Sequence, residues 1–136
     1  MKRILTALAA LCLLAGAPGA RAQGFQVVVN AANPASSLPK AEVSNVFLKK
    51  SARLVPVDLG KSSGVRDAFS KTVHGRGAAA IGAYWQQQIF SGKDTPPAEK
   101  DSDAEVLAFV RGNPRAIGYV SAGASLGSGV KAVSVQ

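Results

Sequence analysis

The spacing of apolar residues changes from segment to segment, and each change marks an element. Phe25 to Asn30 (FQVVVN) is rich in β-branched residues and predicts a strand, which Asn33-Pro34 ends. Ser36-Ser37 offer a helix N-cap and Pro39 suits a first turn. Val43, Val46 and Phe47 then recur at helical spacing to about Leu48. Arg53 to Asp58 (RLVPVD) predicts a second strand, short or at an edge because Pro56 has no amide to donate. After the turn Gly60-Lys61-Ser62-Ser63-Gly64 the spacing is helical again. Val65, Ala68, Phe69 and Val73 define an inner face, and Arg66, Asp67, Ser70 and Lys71 an outer one, up to His74-Gly75. A third helix is predicted from about Ala78 to Phe90, burying Ile81, Tyr84 or Trp85, and Ile89. Ser91 to Lys100, with Gly92 and Pro96-Pro97, reads as a surface loop. Ser102 and Glu105 form a capping box for a fourth helix carrying Val106, Leu107 and Val110, which Gly112 and Pro114 stop. Ala116 to Val120 (AIGYV) and Val130 to Val135 are the last two strands. The order βαβαααββ predicts one α/β domain, with a mostly parallel or mixed sheet flanked by helices.

The first residues follow a different pattern. Met1-Lys2-Arg3 is positive, Ile4 to Ala17 is uncharged and mostly Leu and Ala, and Ala20-Arg21-Ala22 has small residues at the positions a signal peptidase reads. Residues 1–22 are therefore expected to be a signal peptide cleaved after Ala22, leaving residues 23–136 as one periplasmic domain with no stable membrane anchor. The apolar run is shorter than the roughly 20 residues a spanning helix needs. Cys12, the one cysteine, falls in that run behind Leu11, which argues against lipidation, so the mature domain is expected to hold together without disulfides. Its 114 residues suffice for one modest core.

Charge narrows the partners. Without Lys2, Arg3 and Arg21 the net charge falls from +8 to +5, which suits anionic partners as well as it suits plain solubility. No basic run exceeds Lys49-Lys50, and aromatics do not interleave with Lys or Arg, so nucleic-acid binding is not expected. Nor is an enzyme: His74 is the lone histidine, and neither a nucleophile–base pair nor a Gly-x-Ser-x-Gly elbow is present. No His/Cys cluster suggests zinc or another cofactor. The acidic residues Glu99, Asp101, Asp103 and Glu105 are better read as helix-start charges than as a calcium site.

The segment with most chemical content is Val57 to Phe69, VDLGKSSGVRDAF. A strand end, a Gly/Ser turn and a helix start leave backbone N–H groups free at the positive end of a helix dipole. Ser62 and Ser63 add hydroxyl donors, Gly64 permits close approach, and Lys61 and Arg66 supply cationic donors. Two readings stay open here: a site for a tetrahedral anion, or a capped helix start with solvated neighbours.

The segments VFLKK (Val46–Lys50), LVPVD, SSGVRDAF, AYWQQQIFSG and NPRAIGYVSAG, in this order, resemble PstS-like phosphate-binding proteins of ABC transporters, and most closely their short single-domain members. The resemblance covers nearly the whole mature chain. It implies a single lobe of a periplasmic-binding-protein type II-like fold, where the full-length family has two lobes that close on the ligand. In that family the turn matching Ser63-Gly64-Val65 reads Ser-Gly-Thr and donates to phosphate. An acid matched here by Asp58 recognises the ligand's proton, and an arginine two residues before it grips the anion. Here Val65 replaces the Thr, and Pro56 holds the arginine position, which leaves Lys61, Arg66 or Arg53 to substitute. The turn is longer, and Lys49 stands where the family has Gly. The expected function is non-catalytic binding of phosphate or a related oxyanion by Asp58, Lys61, Ser62, Ser63, Gly64 and Arg66, in partnership with an ABC permease or another envelope protein. The alternative is a protein-interaction or sensory module on a retained lobe, in which a homodimer could rebuild a two-sided cleft.

Overall fold

The computed structural model describes residues 24–136; the signal-peptide expectation for residues 1–22 lies outside the described residues. The chain forms β1 (Phe25–Asn30), β2 (Ser37–Leu38), α1 (Lys40–Phe47), β3 (Val55–Leu59), α2 (Gly64–Val73), α3 (Ala78–Phe90), β4 (Ala98–Lys100), α4 (Asp103–Arg111), β5 (Ala116–Ser121) and β6 (Val130–Val135). One mixed sheet has the order β2-β6-β1-β5-β3-β4. Its centre, β1, runs antiparallel to both β5 and β6. The β2–β6, β3–β4 and β3–β5 pairs are parallel.

All six residues of β1 are buried, which its run of valines requires of a central strand. Its two polar residues are satisfied inside. Gln26 Nε2 donates to the carbonyls of Ser121 (3.2 Å) and Ala124 (3.0 Å). Asn30 Nδ2 donates to the last carbonyls of α4, Val110 (2.9 Å) and Arg111 (3.1 Å), and so caps that helix.

Strand alternation on β5 divides the core. At Gly118 one face receives Val106 and Val110 of α4, and at Tyr119 the other receives Phe69 of α2. Around Tyr119 the aromatics close up: Phe69 stacks on it at 3.9 Å and 7°, Phe47 leans on both rings, and Phe25 meets Phe69 edge-on at 5.5 Å. α3 packs on α2 instead of the sheet. Its Ile81 and Trp85 form a small separate cluster with Leu48.

Several expectations are corrected. Ser36-Ser37 do not cap α1: Ser37 belongs to β2, Pro39 is the N-cap residue, and no side chain caps the helix. The expected loop 91–100 ends in β4, which lies parallel to β3. β3 is not an edge strand, but β4 begins opposite Val57, so Pro56 is spared a partner on that side. Arg66 and Ser70, expected outside, are buried, because Arg66 finds internal acceptors described below. Ile89, expected inside, is 53 % exposed, and Phe90 beside it is 90 % exposed, because α3 ends beyond the small cluster it packs on. Ser102 caps α4 as expected, but Glu105 Oε2 accepts from Asp101 N, one residue before the box position. Lys49 takes φ +56°, a left-handed conformation that glycine adopts more easily.

Two predictions follow from the packing. A Cβ on Gly118 would lie 2.8 Å from both Val106 Cγ1 and Val57 Cγ1. Gly118→Ala is expected to lower stability by about 1–3 kcal/mol in urea unfolding. The second concerns His74, whose Nδ1 lies 2.7 Å from Ser44 Oγ and ties α2 to α1. Burial, aided by Arg76, lowers its pKa from 6.5 to about 4. Above pH 6.5 the imidazole is neutral in both folded and unfolded states. Between 6.5 and 4 the unfolded chain takes the proton first, so stability falls as the pH falls. The loss between pH 7 and pH 5 is expected to be about 1 kcal/mol, discounted for partial exposure, and His74→Gln should remove that part of the pH dependence.

Candidate functional site

The strands β3, β4 and β5 run parallel, and the turn Gly60–Ser63 leaves the carboxyl end of β3. In open α/β sheets this is the end where ligands bind. The turn is fixed by its backbone: Gly60 N donates to Lys100 O (2.9 Å) and Ser63 N to Gly60 O (3.0 Å). Ser63 is extended (φ −72°, ψ 124°) and is the N-cap of α2; its Oγ accepts from Arg66 N at 3.4 Å. The first backbone bond of α2 is Asp67 N to Ser63 O. The amides of Gly64 and Val65 have no acceptor among the described residues. Lys61, Ser62 and Gly64 are exposed, and a Cβ at Gly64 would meet nothing within 4 Å. Lys61, Ser62, Ser63 and Gly64 therefore gather at an open helix start.

The other two predicted residues lie deeper. Asp58 is buried, and its Oδ1 accepts from Tyr119 Oη at 2.5 Å; the same hydroxyl accepts from Leu59 N at 3.2 Å. Burial pushes the Asp58 carboxyl above its ordinary range, and Arg66 and the Tyr119 hydroxyl offset only part of that. Burial and the Asp58 carboxylate together push the Tyr119 phenol upward, so it stays protonated as the donor. Arg66 is 4 % exposed. Its Nη1 donates to Leu59 O (2.9 Å) and Glu99 Oε1 (2.8 Å), crossing to the edge strand β4. Although burial opposes its charge, Asp58 and Glu99 hold the guanidinium pKa above its usual value.

Arg66 and Lys61 also line a cavity of about 340 Å³ between α2 and α3. Its wall is supplied by Ala78, Ala79, Gly82 and Ala83, with Gln86 further along α3. Sequence reasoning missed this wall, Tyr119 and Glu99. Arg66 and Glu99 are 33 positions apart and joined only through β3–β4 pairing, which no local spacing reveals. Of the alternatives for the missing arginine, Arg53 lies in the bend before β3, 81 % exposed and 3.8 Å from Glu42. Three of the four acidic residues in 99–105 are already engaged: Glu99 with Arg66, Asp103 with Ser121 N and Glu105 with Asp101 N. Among the described residues no group of three His, Cys, Asp or Glu side chains is placed to hold a metal ion.

This sheet order and helix arrangement recur in solved structures. An ABC-type phosphate transport receptor from Vibrio cholerae superposes with a TM-score of 0.64 at 20 % identity, over 82 % of this chain and 46 % of the receptor. The chain has the PstS-like fold. A Clostridium perfringens protein assigned as a phosphate ABC transporter substrate-binding protein, with phosphate bound, gives 0.63 at 23 % identity, over 82 % of this chain and 44 % of its own. PstS from Borrelia burgdorferi gives 0.55 at 12 % identity, over 83 % and 47 %. The chain thus spans less than half the length of these PstS-like structures. No family model and no curated protein matches its sequence. Among the described residues no helix is long and apolar enough to cross a membrane.

The internal position of Arg66 generates a prediction. Arg66→Ala takes the donor from Leu59 O and Glu99 and removes a positive charge that offsets the buried Asp58. It is expected to cost about 3 kcal/mol, the lower end for a broken buried pair since Glu99 is partly exposed. Glu99→Gln keeps an acceptor and should cost under about 1 kcal/mol. Equilibrium unfolding of the two variants checks the ranking.

Proposed function

We propose that the chain is an exported, non-catalytic solute-binding domain that holds phosphate or a related oxyanion at the start of α2. The reading rests on one observation: the Gly64 and Val65 amides have no acceptor among the described residues and sit in an open turn beside Lys61, Ser62 and Ser63. Such amides and the helix dipole favour an anion. The fold shared with phosphate-binding receptors supports it. In this reading Asp58 acts from beneath, by holding Arg66 and the end of β3. Cleavage after Ala22, a periplasmic location and work with an ABC permease belong to the same proposal.

A one-sided set of contacts sets the scale at a Kd of about 1 mM, roughly −4 kcal/mol. Titration calorimetry with phosphate, sulfate and arsenate is expected to give heat in that range. At 10 mM phosphate the Tm should rise by roughly 5 °C. Lys61→Ala should weaken binding about ten-fold or more, the worth of one hydrogen bond to a charged group. An absence of both heat and thermal shift would overturn the reading.

One observation favours a second reading, an interaction module: Ile89 and Phe90 project together from the end of α3, 53 % and 90 % exposed. Light scattering that finds a dimer, abolished by Phe90→Ser, would support it. A monomer insensitive to that change would count against it.

A further inference from the structure

The cavity between α2 and α3 is larger than a bare oxyanion needs. At about 340 Å³ it has the volume of about eleven waters at ~30 Å³ each, at least twice what a tetrahedral oxyanion displaces. Its two ends differ chemically. At one end stand the Lys61 ammonium and the Arg66 guanidinium. Arg66 is more than nine-tenths buried and its Nη1 is engaged; Nε and Nη2 have no protein acceptor among the described residues, but neither is sealed from solvent. Both groups are free to exchange water for an anionic acceptor. Along the other side Ala78, Ala79, Gly82 and Ala83 offer a smooth wall without polar side chains. Ala79, Ala83 and Gln86 fall at i, i+4 and i+7 on one face of α3, so the amide of Gln86 stands a turn beyond that wall. An open cleft with two cationic side chains, an aliphatic wall and one donor–acceptor amide on its border has the make-up of a small-molecule site.

The geometry points to a ligand with an organic part: a small phosphomonoester or phosphonate. Its oxyanion sits at Lys61 and Arg66, and its short substituent lies along Ala79 and Ala83 with a hydroxyl or amine on Gln86. This rests on the anion reading above and adds the substituent. Inorganic phosphate would leave the alanine wall and Gln86 unused.

Calorimetric competition on the full mature chain tests it, with inorganic phosphate, methyl phosphate, glycerol 3-phosphate and 2-aminoethylphosphonate as probes. At least one of the two longer probes is expected to bind ten-fold or more tighter than inorganic phosphate, with methyl phosphate between them. Ala83→Leu, which fills the cavity from an exposed helix position, should cut that preference at least five-fold, and thermal unfolding checks that the variant folds. Gln86→Leu should cut it for the hydroxyl- and amine-bearing probes and leave the methyl phosphate ratio as it was. Inorganic phosphate binding as tightly as every organic probe overturns the proposal but keeps the anion reading. No binding by any probe overturns both.

Discussion

The structure depends on where the Tyr119 hydroxyl is held. Its ring is stacked on Phe69 in the centre of the core, so the polar tip must find partners inside. It donates to Asp58 and accepts from Leu59 N, the last two residues of β3. One side chain on β5 thus fixes the end of β3, and the turn Gly60–Ser63 starts from that fixed point. Arg66 returns from α2 to the carbonyl of the same Leu59. The helix start is bracketed from both sides: Tyr119 sets the strand before it, and Arg66 anchors the helix after it. A buried carboxyl and a buried guanidinium would be a liability alone. Together, with Glu99 at the edge, each supplies what the other's burial removes.

Much of this fold was legible in the sequence where local chemistry decides. β1, α3 and β6 end where composition and turn residues end them, and Ser102 caps α4 as its spacing to Glu105 indicates. β2 and β4 were not legible, because two or three residues carry no periodicity and exist only by pairing with β6 and β3. The face of α2 was misread for a related reason. Charge places Arg66 outside by pattern, and only the carbonyl of Leu59 and the carboxylate of Glu99 make its burial affordable. Ile89 shows the reverse error: helical spacing points it inward, but the core stops before α3 does.

The candidate site divides along the same line. Lys61, Ser62, Ser63 and Gly64 were legible because a strand–turn–helix unit advertises its own free amides. The depth of Asp58 and Arg66 was not, since it depends on Tyr119 and Glu99, which are distant in sequence. Nor was the wall on α3, whose alanines read as ordinary helix formers until α2 is laid beside them.

Under the proposed reading, the charge on Asp58 bears on an anion through Arg66. The Arg66 guanidinium is paired with Glu99, lines the cavity and interacts with Asp58 through charge. With Asp58 ionised, two carboxylates share one guanidinium, and the cluster carries net negative charge towards an incoming oxyanion. With Asp58 protonated, Arg66 and Glu99 cancel, and the cluster no longer repels it. Burial, the main cause of the raised Asp58 pKa, comes from the same core that positions the turn. Linkage requires the reverse as well: an anion beside Arg66 draws on the charge that otherwise stabilises the Asp58 carboxylate, and so raises that pKa further. Under the proposed reading a proton on Asp58 and an anion beside Arg66 favour each other through one arginine, although neither Asp58 nor Tyr119 lines the cavity.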